Sequence, residues 1–207
     1  MPKNTDIVNH WLKACTSKWQ LKFSPGFVIT FDETMWSWSG LRGDLHLTYL
    51  PRKPKPLGWM LKTTCCAITG VYINSKLTMK KERMDMLPWV SEVAATTTCT
   101  LRLVEPWFNT RRIVVGDSWF GSVRTCLELM QRGMYSVLAV KTGHKLYPKK
   151  ALLDNVKERF SFACMSMIFS VGTTCVNWIV LDGQEGDACG CIMHGRQSYT
   201  PCGVSPV

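Results

Sequence analysis

Residues 111–122, Arg-Arg-Ile-Val-Val-Gly-Asp-Ser-Trp-Phe-Gly-Ser, constrain this chain more than any other stretch. Ile113 to Val115 is a short β-branched apolar run, the mark of a buried strand. The run ends on a carboxylate, Asp117. Ser118 is placed to cap a helix whose apolar positions are Phe120, Val123, Leu127 and Met130, and Gly133 is placed to stop it. An acid at the C-terminal tip of a buried strand sits where α/β folds usually place their chemistry. A second stretch has the same shape: Phe27 to Phe31 is an apolar strand followed by Asp32 and Glu33. Each Asp alone reads most simply as a solvated charge or a cap. Together they raise the question of one shared site.

The chain has 207 residues, enough for one domain with a real core. A hydrophobic content of 46% and nine Trp argue against disorder. No apolar run approaches the ~20 residues of a membrane span. The N-terminal residues lack the apolar centre of a signal peptide, so an intracellular protein without a transmembrane segment is expected. The ten Cys are scattered through strand-like and helical segments and read as buried thiols. The formal charge of +10 is concentrated: residues 51–150 carry 17 Lys/Arg against 6 Asp/Glu. A segment this basic points to a polyanion, nucleic acid being the commonest, with a solvated basic surface as the plain alternative.

Hydrophobic spacing gives the element order. Ile7, Trp11 and Cys15 predict a helix over residues 4–16. After the Asp32 strand, Trp36 and Trp38 suggest a short extended segment or turn. Residues 45–50 alternate as a strand does, and Pro51 to Gly58 reads as a stiff, basic, extended linker. Strands follow over residues 59–68 and 71–73, in an antiparallel meander. Pro88 is a candidate helix start running through Ala94, whereas Thr96 to Thr100 is weakly patterned. The Asp117 strand, its helix and a strand over residues 134–140 come next. A basic loop holding Lys141, Gly143, Lys145, Lys149 and Lys150 closes that strand. Residues 152–156 read as helical, and 160–171 and 176–181 as strands.

Three early antiparallel strands, then alternating helices and parallel strands, match a ribonuclease-H-like mixed α/β sheet flanked by helices. In that arrangement the first and fourth strands are neighbours. Two strand-end carboxylates then converge, as divalent-metal phosphoryl chemistry requires. Mg²⁺ and Mn²⁺ prefer carboxylate oxygens and retain waters for the substrate. A pair of ions can activate the attacking group and stabilise the leaving oxygen, but holding a pair normally takes a third acid.

Several short motifs fall in an order that resembles the piggyBac-type DDE transposase catalytic core. They are Ser24-Pro25-Gly26, Asp32-Glu33-Thr34-Met35, Gly40, Tyr49 to Pro54, Gly58 and Lys62, then Arg112 to Ser122 and Val140 to Gly143. The resemblance covers roughly residues 4–155. It implies that Asp32 and Asp117 are catalytic carboxylates sharing Mg²⁺ or Mn²⁺, with Glu33 supporting them and not ligating. It implies DNA cleavage and strand transfer in the parent family, and DNA contacts at Arg52, Lys53, Lys55, Lys62, Lys141, Lys145, Lys149 and Lys150. A nuclear location and a homodimer, or association with related transposases, are implied on the same ground.

The pattern also departs from the family. Its third acid lies downstream in a glycine-rich motif ending in Asp, and no Gly-Gly-x-Asp occurs here. Asp154, Asp182 and Asp187 lack that context, Asp182 being the nearest substitute. Cys189, Cys191, His194 and Cys202 have zinc-ligand types at a spacing that fits no common site, so zinc is not expected. The resulting expectation is an N-terminal helical lead-in over 1–22, a C-terminally incomplete core over 23–181 and an irregular tail over 182–207. Such a core is expected to be inactive alone; the alternative is a domesticated module that binds DNA or protein without catalysis.

Overall fold

The computed structural model describes residues 4–40, 46–79, 81–141, 143–144 and 147, together with the backbone of three strands at 165–171, 174–180 and 189–192. Helix α1 (Asn4–Lys22) leads into β1 (Val28–Ser37). A short β2 (Thr48–Tyr49), β3 (Leu57–Cys66) and β4 (Tyr72–Leu77) follow. Next come α2 (Lys81–Met84), α3 (Ala95–Val104), β5 (Ile113–Gly116), α4 (Val123–Gln131) and β6 (Tyr135–Val140). Strands β7 (Met165–Val171), β8 (Thr174–Val180) and β9 (Cys189–Ile192) complete the described elements.

The sheet runs β2-β3-β1-β5-β6-β9-β8-β7, with β4 also on β3. Strands β1, β5 and β6 are mutually parallel, whereas β3 is antiparallel to β1 and β4 to β3. The order β4-β3-β1-β5-β6 is the ribonuclease-H-like arrangement. One face buries Ile29 and Phe31 of β1, Val114 of β5 and Leu138 of β6 against Leu101, Leu103 and Val104 of α3 and Val123, Cys126 and Leu129 of α4. Phe31 and Phe120 pack with ring centroids 5.2 Å apart. A second cluster joins Leu12 of α1 to Leu61 and Leu77, backed by Trp36 and Trp59.

Several expectations from the sequence are corrected. Strand β1 continues through Trp36 to Ser37, because its outer half pairs with β3 from Asp32↔Thr63 to Ser37↔Gly58. Pro51 to Pro56 is no extended linker. It is a turn closed by Leu50 N–H donating to Pro56 O (2.7 Å) and Lys53 N–H to Leu50 O (3.0 Å). The chain over 88–94 is turns, and the helix instead occupies the threonine run of α3. Threonine is a modest helix former because its χ1 is restricted. Here the buried hydroxyls are all bonded: Thr97 to Thr125 (2.8 Å), Thr98 to Val93 O (3.4 Å) and Thr100 to Thr96 O (3.0 Å). Burial beneath the sheet therefore outweighs propensity. In the segment read as an irregular tail, Cys189–Ile192 forms β9 and pairs antiparallel with β6 and β8. The helix read at 152–156 lies outside the described residues.

The helix cap also moves. Ser122, not Ser118, is the N-cap of α4, accepting from Thr125 N–H (2.9 Å). Residues 117–121 form a tight turn instead, with Phe120 and Gly121 N–H donating to Asp117 O (3.2 and 3.0 Å). Gly121 passes directly against β6: a Cβ there would overlap the Ala139 carbonyl. Gly133 ends α4 with φ +66°, a conformation that glycine adopts without strain. Gly121→Ala is expected to destabilise the fold by about 3 kcal/mol, the upper range for overpacking, since the opposing atom is backbone. Urea denaturation measures it; an unchanged midpoint would show that the turn is not wedged against β6.

Candidate metal-binding site and basic surface

Two strands position the acids. The parallel ladder pairs Val28↔Ile113, Ile29↔Val114 and Thr30↔Val115. Asp32 lies two residues beyond the last pair on β1, and Asp117 directly follows the end of β5, so both come at the same end of the ladder. Neighbouring strands lie about 4.8 Å apart, and side chains alternate between faces. Ile29 and Phe31 point into the core, so Asp32 lies on the opposite face of β1, and Asp117 follows the end of β5 at the start of the 117–121 turn. Both aspartates are exposed.

Each carboxylate is held by one oxygen. Asp32 Oδ1 accepts the Glu33 backbone N–H (2.6 Å), and Asp117 Oδ1 accepts the Trp119 N–H (3.0 Å). These bonds fix the side chains and leave the second oxygens for solvent or a ligand. Thr63 Oγ1 donates to the Asp32 carbonyl (3.0 Å), which fixes the backbone on the β3 side. Burial, and then the negative charge of Asp32, push the Cys65 thiol pKa up.

The register of the β1–β5 ladder is set at the other end of the strands. Arg112 Nε donates to the carbonyls of Pro25 (3.2 Å) and Gly26 (3.1 Å). Its Nη2 donates to Pro25 O (3.0 Å) and Ser24 Oγ (3.1 Å). Ile113 N–H donates to Phe27 O (2.9 Å) where the ladder begins. Ser24-Pro25-Gly26 and Arg112 both stand out in the sequence, but nothing there says that they bind one another.

Lys62 is the residue whose placement differs most from its expected role at a DNA surface. It is 3% exposed, ion-paired with Glu33, and its Nζ lies 3.3 Å from the centroid of the Trp119 ring. Glu33 adjoins Asp32, and Trp119 supplies the N–H that holds Asp117. Lys62 thus ties the two acid-bearing segments together from the core face, combining an ion pair with a cation–π contact. Among the remaining cations, Arg52 and Lys55 are exposed and Lys53 half-buried on the β2–β3 turn, and Lys141 is exposed where β6 ends. Lys145, Lys149 and Lys150 lie outside the described residues, as do Asp154, Asp182, Asp187, His194 and Cys202. Among the described residues, no cluster of three or more His, Cys, Asp or Glu is placed to hold a metal.

Removing Lys62 leaves Glu33 without its partner next to the core. Lys62→Met is expected to cost about 3 kcal/mol, the scale for breaking a buried pair, and Lys62→Met with Glu33→Leu to recover most of it. Chemical denaturation of the single and double variants checks this. Equal losses in the two would show that the pair is not the source of the effect.

No curated protein matches the chain. Among solved structures it is similar to a piggyBac transposase determined by cryo-EM in a synaptic complex with hairpin DNA, with a TM-score of 0.69 and 18% sequence identity. That match covers 96% of this chain and 38% of the piggyBac chain, and at this identity it shows a shared fold. A family model described as "Transposase IS4" matches residues 2–170. With most of its length inside that model, and with the sheet order described above, the chain belongs to the IS4-type family of DDE transposases.

Proposed function

We propose that this chain is the part of a DDE transposase core in which Asp32 and Asp117 together bind one divalent cation, Mg²⁺ or Mn²⁺, against a DNA phosphate. The observation that supports the reading is the parallel β1–β5 ladder, whose two strands run on to the two acids at the same end of the sheet. The donor set suits a hard cation: two carboxylates, each anchored through one oxygen and open at the other. It is too small for a pair of ions among the described residues. A bound cation would polarise a phosphoryl oxygen and lower the pKa of its water. Asp32 and Asp117 orient it, while Lys62, Glu33 and Trp119 hold the two acids in register from behind.

DNA is the proposed partner, supported by family membership, by the basic segment 51–150 and by the DNA complex of the piggyBac relative. Arg52, Lys53, Lys55 and Lys141 are the described cations proposed to meet its backbone. Lys62, buried on Glu33, is proposed as a positioning residue instead. The nuclear assignment rests on this reading of the substrate. With no third acid beside the two among the described residues, cation and DNA binding are proposed and strand cleavage by this chain alone is not expected.

Mn²⁺ titration followed by electron paramagnetic resonance tests the site. Asp32→Asn and Asp117→Asn are each expected to weaken Mn²⁺ binding by at least about 10-fold, the scale of loss even for outer partners of metal ligands. Unchanged affinity in both variants would rule out a shared cation.

A further inference from the structure

The face of β1 that carries Asp32 runs on into a group of aromatic side chains that the metal site does not use. Side chains alternate along the strand, so Asp32, Thr34 and Trp36 share that face. The β1–β3 ladder keeps one register from Ile29 to Ser37 and sets Trp36 directly opposite Trp59. Trp38 packs on Trp59 with ring centroids 5.1 Å apart, and Trp11 of α1 packs on Trp36 at 6.1 Å. Tyr49 of β2 pairs with Leu57, two residues before Trp59 on β3 and therefore on the same face. Trp36 stands about 14 Å along the strand from Asp32, at 3.4 Å per residue.

A single exposed aromatic is ordinary, but these five are joined and their anchoring is uneven. Trp36 and Trp59 are half-buried on Leu12, Leu61 and Leu77. Trp38 is held by Trp59 and by Gly40, where a Cβ would meet its ring at 2.6 Å. Trp11 and Tyr49, at the two margins, are 56% and 64% exposed. The charge beside both margins is positive. On α1, Lys18 and Lys22 follow Trp11 at i+7 and i+11 and share its side of the helix. On the turn joining β2 to β3, Arg52 and Lys55 are exposed close to Tyr49 in the chain. Among the described residues, α1 has one acid, Asp6, which is paired with Arg83, and residues 46–62 have none. Aromatic rings interleaved with cations suit an unpaired nucleic-acid strand, whose bases each offer a face for stacking while its phosphates meet the cations. Within a duplex those faces are already stacked.

We propose that this aromatic group is a stacking platform for unpaired bases of a DNA strand whose backbone lies along Lys18, Arg52 and Lys55. Bases stack on Trp11 and Tyr49, the exposed members, while Trp36, Trp38 and Trp59 form the packed floor between them. The platform shares a face of β1 with Asp32, so bases held there belong to a strand on that acid's side of the sheet. This inference rests on DNA as the partner but not on the metal.

The test is run on the full chain in EDTA, so that failure of the metal site leaves it readable. A labelled oligothymidylate and an abasic deoxyribose-phosphate strand of equal length are titrated across a salt series by fluorescence anisotropy. Trp11→Ala and Tyr49→Ala are each expected to weaken oligothymidylate binding by at least about 5-fold, the low end for one stacked base. Each should leave abasic-strand binding and the slope of log affinity against log salt unchanged, because no phosphate contact is removed. Arg52→Gln should instead weaken both strands and reduce the slope by about 0.7, the value for one phosphate contact on a single strand. Melting temperature reports folding, and both aromatic substitutions are at exposed positions. Unchanged oligothymidylate affinity in both folded variants, or equal losses on the two strands, overturns the platform and leaves DNA binding standing. A wild-type chain that binds neither strand removes DNA as the partner, and the platform with it. A chain that self-associates in sedimentation, and that Trp11→Ala makes monomeric with no change in oligothymidylate affinity, shows a contact between copies instead.

Discussion

The parallel pairing of β1 with β5 is the constraint on which the rest of this structure depends. It joins two segments far apart in sequence, and it starts from a clamp: Arg112 holds the carbonyls of Pro25 and Gly26 while Ile113 N–H reaches Phe27 O. Side chains alternate along a strand, so a slip of one residue would send Asp117 to the core face and Gly116 outward. Gly116 already fits closely against Phe31, Phe120 and Leu138, so the core resists that slip. Packing in the core thereby fixes the register of the two strands that lead to the acids.

Support for the acids is built from groups facing away from them. A buried lysine is costly unless its charge is matched and its contacts are good. Lys62 meets both conditions, with Glu33 for charge and the Trp119 ring for the rest of its environment. Glu33 and Trp119 lie beside Asp32 and Asp117 in sequence, so fixing one pair of residues limits the freedom of the other. The turn at 117–121 contributes from below, pressed on the Ala139 carbonyl at Gly121. The acids are therefore exposed to solvent yet carried on backbone that has little room to move.

Much of this was legible in the sequence, for identifiable reasons. The strands ending at Asp32 and Asp117 are β-branched apolar runs of the right length, and their alternation with helices gave the sheet order. Gly133 as the stop of α4 follows from its place after an amphipathic run. What escaped was set by distant contacts. The α3 helix hides in buried threonines, of which Thr97 finds its hydroxyl partner only in α4, at Thr125. Lys62 reads as one more surface cation because its partners come from elsewhere, Glu33 from β1 and Trp119 from the 117–121 turn. Trp36 looks like part of a turn until the β1–β3 ladder extends past it. Strand β9 has no apolar alternation of its own and pairs on the edge that β6 offers.

The pairing of Asp32 with Asp117 through one cation is tested most directly by diffraction from crystals soaked in MnCl₂. An anomalous peak within about 2.2 Å of a carboxylate oxygen from each aspartate is expected, as for a small divalent ion bound by oxygen. A peak on one aspartate alone, or carboxylates too far apart to share an ion, would contradict it.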